Sequence, residues 1–180
     1  MKIEKVIKSQ IPTNYFFITG NVGTIDTKYL INRIEEGINL PTNVNYATNV
    51  IGQHTSWDYF CNNKVFLKHL HFFIDYLDEH KLTDYGYRLQ DAWGLKEGWG
   101  EYTQEHNHAG AYISGVIYLN DHPQKLYFPE INEKIKPKRG TFVLFSSFLK
   151  HYTPRNNVER PKYALSFNLG YNTMGPKISK

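Results

Sequence analysis

Residues Tyr112 to Leu119 carry apolar or small side chains on both faces of a period-two pattern. Side chains alternate across a strand, so such a strand needs cover on both sides. It belongs in a sandwich or a barrel. Thr141 to Ser146 repeats the pattern. Other extended segments surround these two. They are Tyr85 to Lys96, Glu101 to His108 after the turn Glu97-Gly98-Trp99-Gly100, and Lys125 to Phe128, with a charged loop from Pro129 to Lys138. The last strand, Arg160 to Asn168, has unlike faces. Tyr163, Leu165 and Phe167 form the apolar one, and Arg160, Lys162, Ala164, Ser166 and Asn168 the other. In a barrel with a ligand cavity the polar face lines the lumen.

The first half of the chain reads differently. Met1 to Ile18 gives a short strand, a loop and a second strand. Asp26 or Thr27 caps a helix carrying Leu30, Ile31 and Ile34 that ends near Gly37. Leu40 to Gln53 reads as loop with a short extended piece, and His54-Thr55-Ser56-Trp57 after it is a candidate substrate lid. Phe66, Leu70, Phe73 and Leu77 recur at helical spacing, so a helix over about 64–80 packs that stripe on the sheet.

A length of 180 residues with 41% hydrophobic and 16% aromatic content suits one domain with a real core. We expect a supporting helical part over about 1–84 and a β core over about 85–170. A net charge of +4 and a pI near 9.0 favour anionic ligands. No basic stripe with interleaved aromatics is present, so nucleic acid is not an expected partner. Cys61 is the single cysteine, which excludes an internal disulfide framework and fits a reducing compartment. Neither a signal-like apolar stretch nor a membrane-length one occurs, so a soluble cytoplasmic protein is expected. Richness in Asn, Lys, Ile and Tyr suggests a phage or AT-rich bacterial source. The oligomeric state is not legible.

Chemistry concentrates in the histidines. His106 and His108 sit at i and i+2, which on a strand share a face. Imidazole suits zinc, iron, copper and nickel. His151, in a later strand, could complete a facial set of three that leaves other positions open. His69 and His71 have the same spacing on the predicted helix, where i and i+2 diverge, so that pair is a poor chelate. A hairpin turning near Arg155-Asn156 would set Arg160 opposite His151, its guanidinium pointing into the same cavity. Arg suits a carboxylate because its charged fork binds bidentately. Ligating imidazoles must be neutral, so metal affinity is expected to fall below about pH 6.

His106-Asn107-His108, Ser114 to Asn120, Gly140 to Phe145, His151 and Arg160, in that order, resemble the Fe(II)- and 2-oxoglutarate-dependent oxygenases. The likeness is to the prolyl-hydroxylase-like branch, in particular a bacterial and phage subgroup with His-x-His followed by Ser-Gly-Val-x-Tyr-Leu. It covers about residues 86–170. It implies a double-stranded β-helix (jelly roll, cupin-like), mainly β with flanking helices. It implies Fe(II) on His106, His108 and His151, and 2-oxoglutarate with its far carboxylate on Arg160 and Tyr118. Ser166 and Asn168 would lie near the bound ligand, and ascorbate would be an accessory cofactor. The reaction implied is hydroxylation of a peptidyl or small-molecule substrate.

One departure stands out. The family's usual carboxylate ligand is His108 here. Either a three-His site results, or a carboxylate comes from elsewhere, with Glu130 and Asp121 as candidates. Two alternatives follow: a cupin-type three-His metalloenzyme without 2-oxoglutarate, or a non-catalytic binding module on the same fold.

Overall fold

The computed structural model describes residues 1–9, 15–43, 48–80 and 86–171. Two antiparallel sheets form the body, with two helices outside the larger one. Chain order is β1 Lys2–Ser9, β2 Tyr15–Asn21, α1 Thr27–Ile38, β3 Val50–Ile51, β4 Gln53–His54 and α2 Lys64–Glu79. Then follow β5 Tyr87–Glu97, β6 Tyr102–His106, β7 Ile113–Tyr118, β8 Leu126–Phe128, β9 Glu133–Ile135, β10 Thr141–Ser146, β11 His151–Thr153 and β12 Lys162–Tyr171. The larger sheet has the order β1-β2-β10-β7-β12-β5-β4, the smaller β3-β6-β11-β8-β9. This is the expected jelly roll.

Strand alternation builds two cores, one on each face of the larger sheet. Phe16, Ile18, Phe142, Leu144, Ile117, Leu165 and Phe167 face the helices. Phe17, Val143, Phe145, Tyr118 and Ala164 face the smaller sheet, where they meet Leu126 and Phe128. The apolar-on-both-faces pattern thus has a physical cause: β7 and β10 are sandwiched between helices and a second sheet. Gly115 gives room for this packing. A Cβ there would lie 2.2 Å from Phe167 Cζ. Gly140, φ +78°, makes the left-handed turn into β10 that a side chain would strain.

The helices start where expected. The Asp26 carboxylate accepts from the Tyr29 N–H (3.0 Å), and the Asn63 amide oxygen accepts from Val65 and Phe66 (3.1 Å each). Phe66, Leu70, Phe73 and Leu77 are buried, Phe73 stacking on Phe167 with centroids 5.9 Å apart. Burying each such side chain contributes about 1.5–3 kcal/mol, so packing rather than intrinsic propensity holds α2 in place.

Several expectations need correction. The supporting part before residue 85 is not only helical, because β1, β2 and β4 join the larger sheet and β3 the smaller. The loop Pro129 to Lys138 contains a 3-10 turn, Pro129–Ile131, and the strand β9. Glu97 ends a strand rather than beginning a turn. The hairpin around Arg155 does not exist. β11 pairs with β6 and β8, whereas β12 pairs with β5 and β7, so residues 154–161 carry the chain from one sheet to the other. The sequence from Tyr171 to Lys180 reads as a loose basic tail; Tyr171 instead ends β12, and residues 172–180 lie outside the described residues.

Candidate metal centre

Both sheets contribute to a cavity of about 280 Å³. Its wall on the larger sheet is read from the register. On β12, Lys162, Ala164, Ser166 and Asn168 stand opposite Glu97, Leu95, Trp93 and Asp91 of β5. Across the other edge of β12, Ala164, Ser166 and Asn168 stand opposite Tyr118, Val116 and Ser114 of β7. Opposite residues share a face, and all of these line the cavity. The charged groups of this wall fall at its two ends. One end holds Asp91, Asn168 and Ser114, and the other holds Glu97 and Lys162.

His151 begins β11 directly opposite His106 of β6. His108 lies beyond the end of β6, so the i, i+2 strand geometry does not place it. Its loop does: the His108 N–H donates to Ser147 O (2.9 Å). The ligand atoms of His106, His108 and His151 all lie within 4.8 Å of one another. Among the described residues these three make the only cluster of histidine, cysteine or acidic side chains so arranged. His69 is half-buried and His71 exposed on α2, facing apart.

The hydrogen bonds indicate which nitrogens are free. His106 Nδ1 is 2.9 Å from Gln104 O and His151 Nδ1 is 3.1 Å from Leu149 O. A carbonyl only accepts, so both Nδ1 atoms carry the proton and both Nε2 atoms present lone pairs. His151 Nε2 lies 3.3 Å from His108 Nε2. Two nitrogens each about 2.1 Å from one ion stand about 3–3.4 Å apart at right or tetrahedral angles. That pair has the spacing of two ligands on one divalent transition metal, and His106 completes the group of three imidazoles.

Burial holds all three imidazoles neutral. It lowers His106, pushes His108 down to about 4 and lowers His151 well below the ordinary value, with neighbouring histidines adding to the last two. Protons therefore compete with metal at lower pH than an exposed histidine would suggest.

A polar row supports His108. Asn168 Nδ2 donates to Asp91 Oδ1 (2.7 Å) and lies 3.4 Å from His108 Nδ1. Ser114 Oγ donates to Asn168 Oδ1 (2.7 Å). Burial raises the Asp91 carboxyl, and the Asn168 bond partly offsets it. Asp91 was missed in the sequence, as was Glu97. The signal was the alternation Asp91, Trp93, Leu95, Glu97 on one face of β5, which gains meaning only once β12 is known to be its neighbour. Glu130 and Asp121 do not line the cavity. Glu130 accepts from the Lys150 N–H (2.9 Å) and Asp121 from the Arg139 N–H (2.7 Å).

Arg160 does not line the cavity either. It is exposed in the connection before β12, and its backbone carbonyl accepts from His122 Nε2 (2.9 Å). The pairing expected for it is taken by His106. The cavity's cation is Lys162, 3% exposed, in an ion pair with Glu97. Tyr118 also lines this cavity, and burial raises its hydroxyl. In the candidate lid, His54 is buried and stacks on Trp57 (4.9 Å), which meets Trp93 edge-on (4.8 Å) and lines the cavity.

No protein-family model matches the chain, and no curated protein matches it. Solved structures do. The viral collagen prolyl hydroxylase of Paramecium bursaria chlorella virus-1, in its 2-oxoglutarate complex, is 18% identical with a TM-score of 0.66, covering 85% of this chain and 94% of that one. HygX of Streptomyces hygroscopicus, with nickel, 2-oxoglutarate and hygromycin B bound, is 13% identical with a TM-score of 0.61, covering 89% and 84%. A prolyl hydroxylase of Trichoplax adhaerens, in complex with a hypoxia inducible factor peptide fragment, is 19% identical with a TM-score of 0.59, covering 86% and 82%. The fold of this chain is the jelly roll of these oxygenases.

Proposed function

We propose that this chain is an Fe(II)- and 2-oxoglutarate-dependent oxygenase, a hydroxylase of a peptidyl or small-molecule substrate, folded as one domain over residues 1–180. The observation that carries the reading is the His106, His108 and His151 cluster at a cavity that also holds one buried cation, Lys162. His106 and His151 would hold the metal through Nε2 atoms free of protons, with His108 beside them as the third ligand. Bound there, Fe(II) would supply oxygen activation coupled to decarboxylation of 2-oxoglutarate to succinate.

The chain's own residues then have distinct tasks. Lys162 and the Tyr118 hydroxyl receive the far end of the co-substrate, in the place expected of Arg160. Asn168 and Ser114 orient His108 from behind. Val116, Leu95, Ala164 and Phe145 keep water from the reacting centre. Trp57, Asp91 and Asn107 meet the substrate on the wall nearer His108. Both substrate classes have precedents among the neighbours, a peptide fragment in one and hygromycin B in another. The neighbours do not favour the cupin-type alternative. Among the described residues no helix is long and apolar enough to cross a membrane. A reducing cytoplasm suits Cys61, and a phage source has a viral neighbour beside it.

Anaerobic addition of Fe(II) and then 2-oxoglutarate, watched for the visible charge-transfer band of the chelate, tests the reading. A band in the wild type that disappears in His151→Ala is expected. Tight metal binding with no band on adding the oxo acid would sink it.

A further inference from the structure

The end of the cavity that holds Lys162 carries charge of both signs. Glu97 and Lys162 are cross-strand partners, joined as an ion pair, with 1% and 3% of their side-chain surface exposed. Glu97 is also held from the opposite sheet. Its Oε1 accepts from the hydroxyls of Thr103 (2.8 Å) and Thr153 (2.9 Å). Swinging Glu97 away from Lys162 would leave buried hydroxyls and a buried carboxylate without partners, which is costly. The pair therefore stays in place when a ligand arrives.

An unopposed lysine would offer a ligand a bare positive charge and so select an anion. This pair has no net charge. It offers a donor and an acceptor side by side: ammonium hydrogens that Glu97 does not use, and the one lone pair that Thr103, Thr153 and Lys162 leave on Glu97 Oε2. A carboxylate placed there is drawn by Lys162 and repelled by Glu97. A primary carboxamide brings a carbonyl oxygen for Lys162 and an N–H for Glu97, with no charge to strip of water.

We infer that Glu97 is a specificity-determining residue, making this end of the cavity a neutral clamp that accepts a terminal carboxamide about as readily as a terminal carboxylate. The ligand class is a 2-oxo acid whose far end is an amide. The inference rests on the 2-oxo-acid reading above and extends it to the far end of that ligand.

The test uses two non-reacting probes, N-oxalylglycine and its terminal amide N-oxalylglycinamide. Both are titrated calorimetrically into the Fe(II)-loaded protein without oxygen. In the wild type the two dissociation constants should agree within about tenfold. In Glu97→Gln the acid should gain about tenfold or more over the amide. A wild-type preference for the acid beyond about tenfold overturns the inference, and so does a ratio that Glu97→Gln leaves unchanged. The wild-type ratio decides the matter even if the variant does not fold. Binding of neither probe to metal-loaded protein is a different failure, that of the 2-oxo-acid reading itself.

Discussion

His151 stands opposite His106 across the β11–β6 pair, with ring centroids 4.3 Å apart. Two strands of the smaller sheet thus present two imidazoles side by side, and the loop after β6 brings the third. Because His108 is held by a loop and the other two by a ladder, loss of His108 should leave the fold intact. We expect His108→Ala to keep its melting temperature within a few degrees and to lose Fe(II) affinity by at least about tenfold. Equilibrium dialysis against Fe(II) checks it, and unchanged affinity would move the third ligand elsewhere.

The choice between Arg160 and Lys162 is open to direct measurement. Removing Lys162 alone would strand the buried Glu97 at a cost of about 3–5 kcal/mol, which would confuse binding with unfolding. The double variant Glu97→Gln/Lys162→Met avoids this. It should fold and lose 2-oxoglutarate binding, while Arg160→Ala should bind as the wild type does. Weakened binding in Arg160→Ala would return the anchor to the exposed loop.

Acid should destabilise the metal-free protein. His108 is held down to about 4, and His106 and His151 are also lowered, in each case chiefly by burial. The unfolded chain takes up these protons near 6.5. Between those values the unfolded state binds more protons, so stability is full above about pH 6.5 and is lost as pH falls toward 4. Asp91, raised by burial, works in the opposite sense at the acid end, one carboxyl against three imidazoles. Urea midpoints of chelator-treated protein should fall steadily from pH 7 to pH 5. A flat profile would remove the buried neutral triad.

Trp57 can be tested separately from the co-substrate end. It is 39% exposed, lines the cavity and rests edge-on against Trp93. Trp57→Ala should raise the KM for the primary substrate several-fold and leave the dissociation constant of 2-oxoglutarate unchanged. Equal weakening of both would mean that the loop merely braces the wall.

Gly115 is a packing position on β7. A Cβ there meets the Phe167 ring at 2.2 Å, and Phe167 is in turn stacked under Phe73 of α2. Gly115→Ala should cost about 1–3 kcal/mol, read as a lowered thermal midpoint. An unchanged midpoint would mean that the ring has room to turn.

Local chemistry in the sequence determined much of this molecule. The period-two pattern with two apolar faces required strands covered on both sides, and β7 and β10 are so covered. The spacing of Phe66, Leu70, Phe73 and Leu77 required a helix with one buried stripe. The alternation from Lys162 to Asn168 assigned a lumen face, because parity along one strand depends on nothing outside that strand. Tertiary structure decided what depends on which strands are neighbours. β11 and β12 are consecutive in sequence but belong to different sheets, so His151 pairs with His106 and Arg160 is left outside. β5 lies beside β12, so Glu97 meets Lys162 and Asp91 meets Asn168. Charges far apart in the chain were joined by a register that no single segment encodes, and that register sets the chemistry at both ends of the cavity.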